Sequence, residues 1–473
     1  MDAPLQNTTE RETTSAALKP GGMREIISLA VPMAISTSTY AVLQLTDRLF
    51  LAWYSEEGVA AALSGGVLVW VFMCLPFGVA GYVQTFIAQY LGAKREKEIG
   101  AILAQGVWIG LACIPLVACV LPIAPQFFIN EDAKLAELEV VYFRISMLGS
   151  PAVVLAAALG AFFNGRGKPT TEMFSSLLAA GINIVLDYAM IFGVWGFAEL
   201  GVAGAAWATI LSQWAKVLIL LIFVYTPASR RDYGVQLLSG LPNWRLLSRL
   251  LYYGVPAGMQ YFVETSTFTL LVFFIRGEGK LELAATSLAL SLNMFAFAPI
   301  FGMGGAVSAL VGRYLGDNKP EYAARSTWSA MWLAMSFTGF CAMLYFGFPD
   351  FLFAAHQGES GETNIVAVEM AKGLLRFAAL YCMLDGAQVI FVSALRGAGD
   401  TAFVFLVSTG IPLVTVITGR YLRQFAESWH ISGLYWWWGI VTTWLAFLFL
   451  VFGARFLSGR WKTMRVIEPE VIK

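Results

Sequence analysis

Long apolar segments alternate with short polar connections along almost the whole chain. A helix needs about 20 apolar residues to cross the roughly 30 Å hydrocarbon core of a membrane, and about twelve segments reach that length. The pattern predicts an all-α integral membrane protein with about twelve transmembrane helices. The predicted spans cover residues 26–53, 59–88, 99–128, 140–163, 172–197, 201–225, 247–275, 283–311, 326–353, 370–395, 401–419 and 434–457.

Basic residues are concentrated in every second connection between these spans. Lys94, Arg95, Arg166 and Arg313 lie in one set of connections, whereas the other set holds fewer basic residues, interspersed with acids. Short loops rich in lysine and arginine stay on the cytoplasmic side of a membrane. We therefore expect both termini to be cytoplasmic, the number of spans to be even, and the location to be a plasma (inner) membrane of the bacterial type.

Short sequence words recur at matching positions in the two halves of the chain. LAVP at 29–32 resembles YGVP at 253–256, and YLG at 90–92 recurs at 314–316 with the same separation. Six spans per half give both halves the same orientation, so we predict two six-helix lobes related by a pseudo-two-fold axis along the membrane normal. The predicted units are a polar tail at 1–22, an N-lobe at 23–228, a linker at 229–245, a C-lobe at 246–457 and a second tail at 458–473.

The composition agrees with a membrane location. Hydrophobic residues make up 58% of the chain and charged residues 13%, against about 25% charged residues in ordinary soluble domains. The formal net charge is zero, which gives no reason to expect a nucleic-acid partner. We expect lipids as neighbours, a monomer, and no cofactor. The two histidines, His356 and His430, fall in polar connections, so a proton relay inside the membrane would need carboxylates.

Four carboxylates lie inside predicted spans: Asp47, Asp187, Glu264 and Asp385. An ionisable residue deep in a span costs about 2.5–3.5 kcal/mol on insertion scales, so each is a candidate functional residue. Any one of them could be hydrogen-bonded for packing alone. Four such residues together favour a function, and we predict that all four take part in cation coupling.

Oxygen-bearing side chains accompany the carboxylates of the first half. Asn183 precedes Asp187 by four residues, which places both on one face of a helix, and Thr209 in the sixth span could complete the site. Together with Asp47, these residues could hold Na⁺, since a hard cation prefers oxygen ligands. The same carboxylates could instead carry a proton. The residues alone do not choose between the two ions.

Further polar residues are candidates for contact with a substrate. Tyr381 lies one turn before Asp385, so its ring could face a cation and its hydroxyl could bond the carboxylate; a core aromatic residue is the alternative. Gln213 and Lys216 share one helix face with Thr209. The Lys216 side chain could extend toward the cytoplasmic interface or line a cleft. We predict Asp47, Tyr381 and Gln213 as substrate-binding residues.

Several of these words resemble the MATE (multidrug and toxic compound extrusion) family over about residues 23–457. The resemblance is carried by LAVP at 29–32 with Asp47 downstream, YLGA at 90–93, GVP followed by ETS at 264–266, and Asp385 leading into ALRGAGDT at 394–401. Asp47, Glu264 and Asp385 resemble the coupling carboxylates of the NorM-like branch. Asn183, Asp187 and Thr209 resemble the cation site of the DinF-like branch.

The resemblance implies a secondary antiporter that exports cationic and amphipathic compounds in exchange for Na⁺ or H⁺. The sequence contains no G-x-x-x-x-G-K-[ST] nucleotide-binding motif, which favours an ion gradient as the energy source. Two alternatives remain at this point. A lipid-linked oligosaccharide flippase of the same superfamily would favour a basic cleft, and a membrane transferase would need acidic residues in a cytoplasmic loop.

Overall fold

The computed structural model describes residues 19–128, 132–236, 242–353, 362–428 and 432–469. His356 and His430, and most of the N-terminal tail predicted at 1–22, lie outside the described residues. Within the described residues the secondary structure is helical, without a strand.

Twelve helical segments in this part of the chain are long and apolar enough to cross a membrane. The all-α membrane fold predicted from the sequence is therefore confirmed. The helices are α1 Met23–Tyr54, α2 Glu56–Gly81, α3 Val83–Gly92, α4 Ile99–Val120, α5 Ala133–Leu148, α6 Ser150–Gly165, α7 Thr170–Phe192, α8 Val202–Val224, α9 Pro227–Tyr233, α10 Trp244–Glu278, α11 Lys280–Gly316, α12 Pro320–Gly347, α13 Pro349–Leu352, α14 Glu362–Ala398, α15 Thr401–Ser428 and α16 Gly433–Leu457.

Several spans differ from their predicted limits, and local chemistry explains two of the differences. The fifth span was predicted to reach residue 197, but α7 ends at Phe192 because Gly193 adopts the left-handed conformation (φ 66°) that terminates helices. The ninth span was predicted to reach residue 353, but α12 ends at Gly347. Pro349 lacks an N–H group and disfavours helical geometry in the residue before it.

The packing of the two halves has the symmetry expected of a repeated unit. We call α1–α8 the N-terminal half and α10–α16 the C-terminal half. Helix α1, the first span, packs against α11 of the eighth span, while α2 of the second span packs against α10, the seventh span. A two-fold axis exchanges the first span with the seventh and the second with the eighth, so each of these contacts is the image of the other.

The backbones of the two halves come into direct contact at one end of the bundle, which we call the basic end because Lys94, Arg95 and Arg313 lie there. A side chain on Gly92, the last residue of α3, would overlap the carbonyl oxygen of Arg313 on α11. Nearby, the Gln89 amide donates to the Gly397 carbonyl at 3.1 Å. Only a glycine permits this approach of two backbones, so the basic end is closed by direct contact.

The segment after α16 covers this closed end. The backbone N–H of Val466 donates to Gln89 Oε1 at 2.8 Å, and the Val466 side chain is fully buried. Arg95 of the N-terminal half donates to the Glu468 carbonyl oxygen at 2.7 Å. The region predicted as a second tail at 458–473 is thus docked across both halves over the residues that the structure describes.

Candidate functional site

Three helices of the N-terminal half bring together the residues that the sequence predicted as a cation site. Asp47 is on α1, Asn183 and Asp187 are on α7, and Thr209 is on α8. Helix α7 packs against both α1 and α8. Asn183 and Asp187 are completely buried and Asp47 is 4% exposed. We call these four residues the N-site. The two aspartates and Asn183 lie inside the half, and Thr209 is partly exposed.

The hydrogen bonds of the N-site leave much of its acceptor capacity unused. Thr209 Oγ1 donates to Asp47 Oδ2 at 3.2 Å, and Asn183 Nδ2 is 3.5 Å from Thr209 Oγ1. Four other buried oxygens have no hydrogen-bond partner among the described residues: Asp47 Oδ1, Asn183 Oδ1 and both carboxyl oxygens of Asp187. Buried polar atoms are seldom left unpaired, so this concentration points to a bound species.

The electrostatics of the N-site indicate what that species is. The carboxyl groups of Asp47 and Asp187 lie beside each other. The charge of Arg48, the next residue in sequence, acts on Asp47 from an exposed side chain and does not enter the pair. Two negative charges buried side by side are strongly unfavourable unless a positive charge joins them. A proton shared by the pair, or a hard monovalent cation held by carboxylate, amide and hydroxyl oxygens, would supply that charge.

The C-terminal half holds its two predicted carboxylates differently. Glu264 on α10 accepts a hydrogen bond from Gln260 Nε2 at 2.7 Å, and Asp385 on α14 accepts one from Gln388 Nε2 at 3.0 Å. Asp385 is buried, whereas Glu264 is partly exposed. Each carboxyl group thus has an amide donor about one turn away on its own helix.

Tyr381 does not use its hydroxyl for Asp385 in this structure. The hydroxyl instead accepts a hydrogen bond from the Asn293 amide on α11. Its ring packs nearly parallel to that of Phe297, with centroids 6.4 Å apart, and the residue is 4% exposed. These contacts are those of a core aromatic residue. Gln213 is also buried, one turn from Thr209. Substrate binding by either residue stays a prediction.

Sequence reasoning missed one charged cluster near the basic end of the N-terminal half. Glu172, in the first turn of α7, accepts from Lys216 Nζ of α8 at 2.9 Å. Lys216 therefore lies in a largely buried ion pair, and its side chain reaches toward the first turn of α7. The signal that could have found the pair is the spacing of Glu172 and Ser176, which repeats that of Asn183 and Asp187 eleven residues later.

The sequence profile of the MatE family matches residues 32–189 and 256–421, well over half of the chain. The chain belongs to the MatE family. The two matched segments lie one in each half, in agreement with the repeat. The first contains Asp47, Asn183 and Asp187, and the second contains Glu264 and Asp385. The prediction of a transporter rather than an enzyme is confirmed. The membrane transferase, the alternative considered from the sequence, is therefore excluded.

Two relatives of this MatE protein are each named "Probable multidrug resistance protein NorM". The protein from Chromobacterium violaceum is 28% identical over 390 residues, covering 81% of this chain and 82% of the relative. The protein from Thermotoga maritima is 25% identical over 463 residues, covering 95% of both. These matches confirm the NorM-like resemblance.

The fold also matches solved structures. One is an outward-facing conformation of a multidrug resistance MATE family transporter of the MOP superfamily, with a TM-score of 0.82 and 19% identity. The match covers 96% of this chain and all of the other. At this identity the match shows the fold alone.

Proposed function

We propose that this MatE protein is a secondary antiporter that exports cationic and amphipathic organic compounds in exchange for Na⁺ or H⁺. The observation that carries the proposal is the buried Asp47–Asp187 pair, where four oxygens of the pair and of Asn183 have no hydrogen-bond partner within the ranges that the structure describes. A site of that kind is stable only with a positive species bound. The names of the relatives, multidrug resistance proteins, supply the class of exported compound.

Exchange follows if the coupling cation and the organic cation compete for the same negative charge. With Na⁺ or H⁺ in the N-site, the charge of Asp47 is neutralised and an organic cation gains little from approaching it. Without that ion, the charge is available to the organic cation, with Gln213 and the ring of Tyr381 as further contacts. Two ligands that cannot both be bound well in one state are exchanged, because each lowers the affinity for the other.

The second requirement is that the cleft opens to one side at a time. The close contacts of Gly92 and the docked segment around Val466 hold the basic end shut in this structure. We propose that the two halves rock about the contacts between α1 and α11 and between α2 and α10. The basic end would then open while the opposite end of the bundle closes. Glu264 and Asp385 would assist coupling from the other side of the cleft.

The proposal also includes the orientation of the protein in the membrane and the type of membrane. Loops rich in lysine and arginine stay inside, so the basic end is assigned to the cytoplasm together with both termini. The membrane would be the plasma membrane of the bacterial type. In this orientation the structure is closed to the cytoplasm, and the coupling ion would reach the N-site from outside.

A flux assay under imposed gradients tests the proposal and separates the two ions. The protein is reconstituted into liposomes loaded with ethidium, and ethidium movement is followed under a Na⁺ gradient alone and an H⁺ gradient alone. We expect one gradient to drive exchange, and Asp47→Asn to abolish it. Glu57→Gln, an exposed acid paired with Lys134 at 3.4 Å, is the matched control and should keep activity. Transport that depends on neither gradient would overturn secondary antiport.

A further inference from the structure

A second polar cluster lies on the same three helices as the N-site. Glu172 Oε1 accepts from Lys216 Nζ at 2.9 Å and from Ser176 Oγ at 3.0 Å, while Ser36 Oγ of α1 donates to Oε2. The Glu172 and Lys216 side chains are only 11% and 18% exposed. A carboxylate, two hydroxyls and an ammonium group are thus gathered in a largely water-free place.

This cluster repeats the N-site along the helix axes. Ser36 precedes Asp47 by eleven residues, and Glu172 and Ser176 precede Asn183 and Asp187 by eleven residues. Eleven residues make about three turns, roughly 16 Å, and return to nearly the same helix face. On α8, Lys216 follows Thr209 by seven residues, about two turns on the same face. The cluster therefore lies directly between the N-site and the basic end.

The two clusters differ in how their negative charge is balanced. The N-site has two carboxylates and no basic side chain among its four residues. The second cluster has one carboxylate and its own ammonium group, which sits where a cation would bind to Glu172. Chemically, the Lys216 ammonium stands in for a small monovalent cation. Without it, Glu172, Ser36 and Ser176 would offer carboxylate and hydroxyl oxygens, which are suitable ligands for such a cation.

We propose that Glu172, Ser36 and Ser176 form a second station for a small monovalent cation between the N-site and the basic end. Lys216 is a tethered cation that holds this station closed. An ion that leaves the N-site toward the basic end displaces the ammonium from Glu172, so one positive charge replaces another. The inference rests on the proposed function, because a route is needed only if a cation crosses the N-terminal half.

Removal of the tethered cation tests the station directly. Lys216→Met leaves Glu172 buried without a counter-charge, so the carboxylate must take a cation from solution. Glu172→Gln/Lys216→Met is the matched control, since it removes both charges and keeps the shape. The full-length protein is purified in detergent, and bound radioactive Na⁺ is counted per protein. We expect the single variant to bind one more Na⁺ than the double variant.

A second experiment tests whether the cation bound at the station is a proton. Infrared difference spectra between high and low pH report the carbonyl stretch of a protonated carboxylic acid. If the station takes H⁺, Lys216→Met shows an additional band of this kind that is missing from the double variant. Should Lys216→Met fold poorly, Lys216→Gln, which keeps much of the side chain and a donor, is examined in the same two assays.

If the Glu172–Lys216 pair serves only to stabilise the packing of the helices, the result is different. In that case Lys216→Met is merely less stable and binds no more Na⁺ than the double variant. Its Glu172 carboxyl group then stays protonated at high and low pH alike, so the pH difference spectra of the two variants are the same. That outcome would overturn the station. The comparison between single and double variant does not involve Asp47, so it can succeed even where Asp47→Asn retains exchange, and fail even where antiport is confirmed.

Discussion

The two halves share one helix arrangement but hold the carboxyl groups within their spans in different ways. In the N-terminal half, Asp47 and Asp187 come from different helices and lie side by side, and three of their carboxyl oxygens have no hydrogen-bond partner in the described part of the chain. In the C-terminal half, Glu264 and Asp385 each accept from a glutamine on the same helix. A repeated fold therefore does not imply repeated chemistry.

This difference determines at which site the binding of a cation is most favourable. At the N-site it would supply the first partner of several buried oxygens and relieve the repulsion of two carboxylates. At Glu264 and Asp385 an amide already provides part of that stabilisation. We therefore assign the main coupling role to the N-terminal half, with the carboxylates of the C-terminal half contributing less.

The largest effect is expected for Asp187→Asn. This change removes one of two adjacent negative charges, so the remaining carboxylate of Asp47 attracts a cation much less strongly. Contacts to charged groups contribute about 1.5–3 kcal/mol, so cation affinity should fall roughly 10- to 100-fold. Binding of radioactive Na⁺, or proton release on adding ethidium, measures the change. Unaltered binding in both assays would contradict the assignment of the N-site, provided that the variant elutes as a single species.

A smaller effect is expected for Glu264→Gln and Asp385→Asn. Each removes a carboxyl charge that already has an amide donor, and neither changes the N-site. Exchange of ethidium in liposomes should slow several-fold, while binding of the coupling cation to the purified protein should stay close to that of the wild type. If either variant lost cation binding as completely as Asp187→Asn, the two halves would have to be regarded as equal.

A milder change within the N-site is Thr209→Val. The hydroxyl donates to Asp47 at 3.2 Å, and valine keeps the shape without the donor. A hydrogen bond to a charged group contributes about 1.5–3 kcal/mol, but this bond is lost from the cation-free and the cation-bound protein alike, so cation affinity should change only a few-fold. Thr209→Ser retains the hydroxyl and should bind like the wild type. Equal behaviour of the valine and serine variants would exclude Thr209 from the site.

The smallest effect is expected for Tyr381→Phe. The phenylalanine keeps the ring against Phe297 and loses only the bond to Asn293, so the free energy of unfolding should drop by about 0.5–1.5 kcal/mol. The apparent affinity for ethidium should not change. A melting curve measures the stability, and a flux titration with ethidium measures the affinity. A loss of transport as large as that of Asp385→Asn would show that the hydroxyl serves Asp385 during the cycle.

Much of this protein follows from its sequence because lipid restricts what a span can contain. Apolar length alone identifies twelve spans, and a carboxylate such as Asp47 stands out because a charge in hydrocarbon is costly. The common face of Asn183 and Asp187 is equally local, since it depends only on helix periodicity. The repeated words in the two halves predicted the two-fold relation between them, whereas the contacts of α1 with α11 and of α2 with α10 came only from the structure.

Only the tertiary structure decided which polar groups meet. The ion pair of Glu172 with Lys216 and the bond between Asn293 and Tyr381 each join two different helices, and neither was predicted from the sequence. Such contacts depend on how far each helix is rotated and shifted against its neighbour. That is set by the packing of many side chains at once, which no local stretch of sequence encodes.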